Sequence, residues 1–412
     1  MFNFYKYYLR NALIGTSVIF CGGSILQTFM AALGITPASV SAFIIISNVI
    51  NIAVGIIFAN VSDKYHNTKR IISYTILGYL FIVIGLLLLC FIKVSPLTAV
   101  IIITAFNGLF SFSLSLRAIF EFKLPYKIID IRNLHILSSV DGFITSVLGI
   151  IASLIFAFFV ARYEFFNVLA VALVISAIMI IGGSIVNESF EISKYHEEKE
   201  EKTLLNIFDL LKIREFKQLI FPNMLRGMIN GVLTMSTTIG FTLGILNEKS
   251  AAYLVTAITA ATVLSSLCYA FLAKRYLQNY TLLFIGTVLM SLMVLFYVPN
   301  GIFFIAVNFI CYFGMCMVNY AVPLTVYEFV PYEISGVYHA WRLLLTTTGF
   351  IISTAVIGIV LEKNAVIIPF IKVNIVLFML FIAMILAITA GIIYYHLNKK
   401  FILQTSKPDI GN

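Results

Sequence analysis

Charge is what this sequence has least of. Only 11% of its 412 residues are Asp, Glu, Lys or Arg and 61% are hydrophobic, whereas ordinary soluble domains carry roughly 25% charged residues. Mean hydropathy is +1.03. No soluble fold hides this much apolar surface, so the chain reads as membrane-embedded. Cysteine is scarce as well. Cys21, Cys90, Cys268, Cys311 and Cys316 all fall inside apolar runs, with no metal-ligand spacing and no disulfide framework, and they read as small core residues. There is no Gly-rich phosphate loop ending in Lys-Ser or Lys-Thr, which disfavours ATP-driven transport. No His/Cys cluster and no Ser/His/Asp constellation occurs, so neither an enzyme nor a cofactor is expected. His66, His135, His196, His339 and His396 are scattered and read as interfacial.

What is present is a series of apolar runs long enough to cross a bilayer, for which about 20 residues suffice. They cover 11–33, 39–60, 71–92, 96–120, 134–159, 165–186, 218–244, 250–273, 280–298, 301–327, 335–360 and 373–395, twelve in all. The first follows Lys6 and Arg10 as a signal peptide would. It is longer than a signal h-region of about 7–15 residues, so it is expected to stay as the first span.

The net charge of +9 would suit nucleic acid in a soluble protein. In a membrane protein its distribution matters more, because Lys and Arg concentrate in cytoplasmic loops. Of 27 cations, only Lys93, Arg162, Lys249, Lys363 and Lys372 fall in the loops after odd-numbered spans, and the other 22 lie on the opposite side. Both termini and the charged loops are therefore expected in the cytoplasm, with no nucleic-acid partner.

The longest polar segment, 187–217, divides the chain into an N-terminal bundle (1–186) and a C-terminal bundle (218–398), with a tail at 399–412. Within it, Leu204, Ile207, Phe208 and Leu211 share one helical face, which predicts an amphipathic helix along the interface. A partner-binding helix is the rival reading. The two halves also echo each other. Leu9–Gly15 resembles Leu225–Gly231, Asp63–Tyr65 resembles Lys274–Tyr276, and Leu124–Ile128 resembles Val330–Ile334, at offsets of 216, 211 and 206. Three matches in order at nearly one offset imply a parallel repeat.

Between the second and third spans stands Asn60–Arg70, NVSDKYHNTKR. Asp63 and Lys64, followed by Lys69 and Arg70, resemble the signature G-x-x-x-D-[RK]-x-G-[RK]-[RK]-[RK] of the major facilitator superfamily of secondary transporters. Ala59 stands at the first Gly, and His66 or Asn67 replaces the turn Gly. Asn tolerates the left-handed conformation that Gly would supply. The resemblance covers nearly the whole chain. It implies an all-α integral membrane protein with twelve transmembrane helices in two pseudo-twofold-related six-helix bundles, a monomer in the cell membrane. The subgroup of proton-coupled drug exporters is not indicated, because span four lacks its Arg and span five lacks its Gly-Pro element.

Ionisable groups within spans are expensive and default to functional hypotheses. They are Arg117 in span four, Asp141 in span five, Arg226 in span seven and Arg342 in span eleven. Arg226 aligns with Arg10 and is expected to snorkel to the interface; Arg117 lies close enough to the polar loop to do the same. Asp141 lies ~10 Å inside its span at 1.5 Å rise per residue, so it needs either a proton or an ion-pair partner. The superfamily's fold would set the loop after span two against span eleven, and the loop after span eight against span five. That implies Asp63 near Arg342, and Lys274 or Arg275 near Asp141, as a latch closing the cytoplasmic side. Static packing contacts are the competing reading.

The spans that line the superfamily's central cavity carry neutral polar residues at their midpoints: Ser24 and Gln27, Asn107 and Ser111, Ser236 and Thr237, Asn308 and Tyr312. Asn48 and Asn51 add amides in span two. Such residues commonly bind helices to one another; taken together they suggest a neutral or zwitterionic small solute. The expected function is secondary active transport, coupled to H+, or facilitated transport by alternating access. A membrane-embedded sensor or lipid-handling protein on the same scaffold is the alternative.

Overall fold

The fold is taken from a computed structural model that describes residues 2–64, 68–121, 134–190, 214–272, 285–290, 300–329, 335–362, 381–382, 384–393 and 396. Helices account for almost all of it: α1 (Phe2–Cys21), α2 (Gly23–Ala32), α3 (Pro37–Lys64), α4 (Thr68–Leu77), α5 (Leu80–Phe91), α6 (Pro96–Glu121), α7 (Leu134–Val160), α8 (Phe165–Glu188), α9 (Arg214–Thr234), α10 (Ser236–Thr242), α11 (Glu248–Leu272), α12 (Gly301–Phe329) and α13 (Ser335–Glu362). Among the described residues, nine helical stretches are long and apolar enough to cross a membrane. In hydrocarbon every backbone N–H and C=O must be satisfied within the protein, which is why such runs become helices. The expected twelve spans are compatible with these, since parts of the ninth and twelfth are also helical.

The helices form two bundles. In the first, α1 packs on α7 and α8, α3 on α6, and the α4–α5 pair on α6 and α8. In the second, α9 packs on α13 and α11 on α12. The two halves meet where α7 lies along α11 and α3 lies along α13. Outward, α8 shows Val171, Val174, Ile178, Ile181 and Ile185, all well exposed. Their helical spacing makes one exposed apolar stripe, of the kind that lipid covers on a membrane helix.

Two spans are broken at matching positions. The first span interrupts at Gly22, between α1 and α2, where Gly23 takes φ 54°. The seventh interrupts at Met235, between α9 and α10. The breaks lie 213 residues apart, inside the range of offsets at which the sequence repeats. Elsewhere glycine sets how closely helices approach. A Cβ on Gly227 of α9 would lie 1.8 Å from the Thr346 carbonyl oxygen of α13, and one on Gly349 of α13 would lie 2.0 Å from that of Met224. With Gly231 also facing α13, the pair packs backbone to backbone, the close approach that small residues permit between membrane helices.

Asp63 and Lys64 end α3. Their side chains, the turn at His66-Asn67, the amphipathic segment 204–211, and Lys274 with Arg275 lie outside the described residues.

Candidate functional site

The break in the seventh span is where polar groups gather. In an unbroken α-helix the N–H of Thr238 would donate to the carbonyl of Thr234, four residues earlier. Here the side-chain amide of Gln27 stands between them. Gln27 Nε2 donates to the Thr234 carbonyl at 2.6 Å, and Gln27 Oε1 accepts from the Thr238 N–H at 3.1 Å and from its hydroxyl at 2.8 Å. The preceding carbonyl, Leu233, accepts from the Tyr312 hydroxyl of α12 at 3.0 Å. A side chain inserted into the backbone ladder is one of the few causes of a sharp interruption. Gln27 is buried, as are Ser236 and Thr237 beside it. The break thus joins α2 of one half to α10 of the other.

On the same side of the protein the halves touch again. Ser41 Oγ donates to the Thr354 carbonyl at 2.8 Å, and the Ala38 N–H to Glu362 Oε2 at 3.2 Å. These contacts join the ends of α3 and α13 that are remote from the charged loops. Toward the charged-loop side lies a cavity of about 270 Å³, lined by Asn48 of α3, Arg226 and Asn230 of α9, Met315 of α12, and Arg342 and Phe350 of α13. Residues of both halves therefore contribute. Arg226 donates to Asn319 Oδ1. Arg226 is partly buried, and both Arg226 and Arg342 line this cavity; the side chain of Asp63, the latch partner expected for Arg342, lies outside the described residues.

A second polar cluster fills the N-terminal bundle. Arg10 is fully buried. Its Nε and Nη2 donate to Asn11 Oδ1 at 2.9 and 2.7 Å, Nη1 donates to Asn187 Oδ1 at 2.8 Å, and Nη2 also pairs with Glu121. Arg117 meets the same carboxylate, with Nε 2.5 Å from Oε2 and Nη2 3.1 Å from Oε1. It also reaches Asn11 Oδ1 at 3.3 Å and the Tyr79 hydroxyl at 3.4 Å. Asn11 passes the network on, its Nδ2 donating to Asp141 Oδ2 at 2.9 Å. The other oxygen, Asp141 Oδ1, is buried with no hydrogen-bond partner among the described residues. Two arginines thus face two carboxylates from α1, α6 and α7, and the aromatic rings of Tyr7 and Phe190 lie 4.7 and 5.4 Å from the Arg10 guanidinium carbon. A buried guanidinium is tolerable only when most of its donors are satisfied, which this arrangement achieves.

Each remaining candidate has a definite place. Asn107 donates to Ser47, with Ser111 at 3.4 Å, and Ser115 donates to Asn51 at 2.5 Å, so these amides join α3 to α6. Asn308 is buried and donates back to the Phe304 carbonyl of its own helix. Ser24 is half-buried, its carbonyl accepting from Thr28. Lys69 donates to the Phe190 carbonyl at 3.0 Å and lies 4.0 Å from Glu188, and Arg70 is exposed.

Reading the sequence missed Arg10, Asn11, Glu121 and Asn187. Arg117 and Glu121 do carry a signal, being opposite charges four residues apart on one helix. Asn187 carries none, because its partners Arg10, Lys69 and Ser73 are remote in sequence.

The sequence matches no protein-family model and no curated relative. Solved structures do match. The nucleoside transporter NupG superposes with a TM-score of 0.65 at 14% identity, covering 96% of this chain and 99% of that one. A single-site mutant of the same transporter gives 0.66 at 15%, covering 95% and 99%. A bacterial homologue of the iron transporter ferroportin, in its outward-facing state, gives 0.70 at 11%, covering 96% and 99%. At such identities the likeness speaks to architecture, and it spans both chains almost end to end. The chain shares the overall fold of these solved structures.

Proposed function

We propose that this protein is a secondary transporter that moves a small solute across the cytoplasmic membrane by alternating access. The observation that carries the reading is the pairing of a closed end with a cavity that residues of both halves line. Gln27 locks the halves together on one side, while the cavity of Arg226 and Arg342 lies toward the charged loops. With those loops and both termini in the cytoplasm, the cavity would lie on the cytoplasmic side of the Gln27 bridge, as an inward-facing state requires. Rocking the halves about the α3–α13 and α7–α11 contacts would break the Gln27 bridge and expose the cavity to the outside. The solved structures named above are transporters, which supports the class and leaves the cargo open.

Coupling to protons is supported by Asp141. It sits at the end of a buried charge network, bonded through one oxygen to Asn11, with the other unpartnered among the described residues. A carboxylic acid in that setting can take up and release a proton as the halves move. The reading is tested with purified protein in liposomes, by following uptake of nucleosides, amino acids, carboxylates and sugar phosphates with and without an imposed proton gradient. Gradient-driven accumulation supports coupled transport, and downhill flux alone supports facilitation. Binding with no flux of any bound solute would overturn the transporter reading in favour of a sensor.

A further inference from the structure

We propose that Asn11 is the positioning residue of the proton site: by holding its amide nitrogen on Asp141 Oδ2, it leaves Oδ1 as the oxygen that takes up and gives up the proton. The direction of the amide is set by the arginines. Asn11 Oδ1 accepts from Arg10 Nε at 2.9 Å, from Arg10 Nη2 at 2.7 Å and from Arg117 Nη2 at 3.3 Å. Turning the amide over would set its NH2 group against three guanidinium N–H donors, and a guanidinium has no acceptor to offer. The amide nitrogen therefore faces Asp141 as a donor, 2.9 Å from Oδ2. A proton on Oδ2 would oppose that N–H, donor to donor. A proton on Oδ1 leaves Oδ2 as the carbonyl oxygen and keeps the bond.

Oδ1 itself is buried and makes no hydrogen bond among the described residues. A bare charged oxygen is costly in such a place, and a protonated one far less so. Asp141 and Thr145 stand four residues apart on α7, and both meet α1, Asp141 at Asn11 and Thr145 at Gly15. The Thr145 hydroxyl is likewise buried without a partner among the described residues. Two open oxygens one turn apart thus mark the seam between α1 and α7. The ionisable groups in electrostatic reach of Asp141 are Tyr7, Tyr8 and Arg10 on α1, and Arg117 and Glu121 on α6. Of the other helices packed on α7, α8 carries Glu188, 4.0 Å from Lys69. Helix α11 carries Glu248 and Lys249 at the end remote from the charged loops, and Cys268 and Tyr269 toward the other; Lys274 and Arg275 lie beyond the described residues. The chemical step is small. Water delivers a proton to Oδ1, one O–H bond forms, and the reverse step returns the proton to water. Because Arg117 belongs to α6, a shift of α6 against α1 would loosen the amide that faces Asp141. What the proton drives rests on the coupled-transport reading above; where it sits does not.

The test needs no knowledge of the solute. Full-length protein in nanodiscs is followed by infrared spectroscopy as the pH is raised, and the carboxylic-acid C=O band that is missing in Asp141→Asn is assigned to Asp141. With the proton on Oδ1, the carbonyl oxygen is Oδ2 and accepts from Asn11. The band then lies at lower frequency than that of an unbonded acid, and Asn11→Ala moves it upward. With the proton on Oδ2, the carbonyl oxygen would be the unbonded Oδ1, and Asn11→Ala would leave the band in place. The same variant loses a donor that favours the carboxylate, so the pH at which the band vanishes should rise by about one unit, the scale of one hydrogen bond to a charged group. Asn11→Ser, whose hydroxyl can accept from Arg10 and donate to Asp141, should restore part of both shifts. Should Asn11→Ala not fold, the band position of the parent alone decides between the two oxygens. A parent band at the unbonded position, or one that Asn11→Ala leaves unmoved, would overturn the proposal and leave proton coupling standing. The absence of an Asp141 band at every pH would overturn both. The expected shifts in protein that accumulates no solute under a proton gradient would sink the coupling reading and leave the role of Asn11 intact.

Discussion

Thr238 donates both its backbone N–H and its hydroxyl to the side-chain oxygen of Gln27, a residue 211 positions away in the other half of the molecule. The Gln27 amide thereby replaces one rung of the helix ladder, since its nitrogen satisfies the Thr234 carbonyl that Thr238 would otherwise have used. A joint of this kind can open without leaving orphaned backbone, because the ladder can close on itself when Gln27 withdraws.

Replacing Gln27 by Leu keeps the volume and removes the three hydrogen bonds. Each contributes about 1 kcal/mol net, so the closed end should lose roughly 1.5–3 kcal/mol. The population open on that side should rise by roughly ten- to a hundredfold, at 1.4 kcal/mol per factor of ten. The rate at which Thr237→Cys reacts with an impermeant thiol reagent, added from the side opposite the charged loops, reads this directly. An unchanged rate would mean that Gln27 is not a gate.

Glu121→Gln leaves Arg10 and Arg117 without the carboxylate they share. Breaking a buried ion pair by removing one partner costs about 3–5 kcal/mol, so thermal denaturation of the purified protein should shift clearly downward. Lys69→Ala removes a partly exposed cation, 4.0 Å from Glu188, and should change stability by no more than about 1 kcal/mol. Equal effects of the two substitutions would contradict a special role for the buried cluster.

Asp141→Asn can still accept from Asn11, so the protein should remain folded, within about 1 kcal/mol of the parent on the scale of a single hydrogen bond. If Asp141 carries the coupling proton, the variant should exchange solute downhill yet fail to accumulate it against a proton gradient. Gradient-driven accumulation at the parental level would remove Asp141 from the coupling mechanism.

Gly227→Ala puts a methyl group 1.8 Å from the Thr346 carbonyl oxygen. Backbone cannot step aside as a side chain does, so α9 and α13 must separate, at a cost of about 3 kcal/mol or more. Gly34→Ala, at φ +72° but with nothing within 4 Å of its Cβ, should cost only about 1 kcal/mol, through backbone strain alone. Thermal stability of the two purified variants checks the order.

Much of the architecture was legible from the residues. Apolar length and the offsets of 216, 211 and 206 led to two parallel bundles, and the positions of Gln27, Ser236, Thr237 and Tyr312 at mid-span marked them as polar groups needing partners. Their partners were not legible. Gln27 bonds to backbone atoms, which every residue possesses, so no residue type in the seventh span could announce it. Arg10 and Arg226 looked interfacial because both stand near the cytoplasmic ends of their spans. Depth along a helix does not say which way a side chain faces: Arg10 turns inward and is fully buried, whereas Arg226 is partly buried.

The sequence alone settled that the chain lives in a bilayer and folds as helices, because about 20 apolar residues in hydrocarbon have no other way to satisfy their backbone. Pairing was decided in three dimensions. Arg10 meets Glu121 across 111 residues and Gln27 meets Thr238 across 211, and neither contact depends on local propensity. Each follows from how glycine-rich faces and broken spans let the helices approach, and only the packed molecule fixes that.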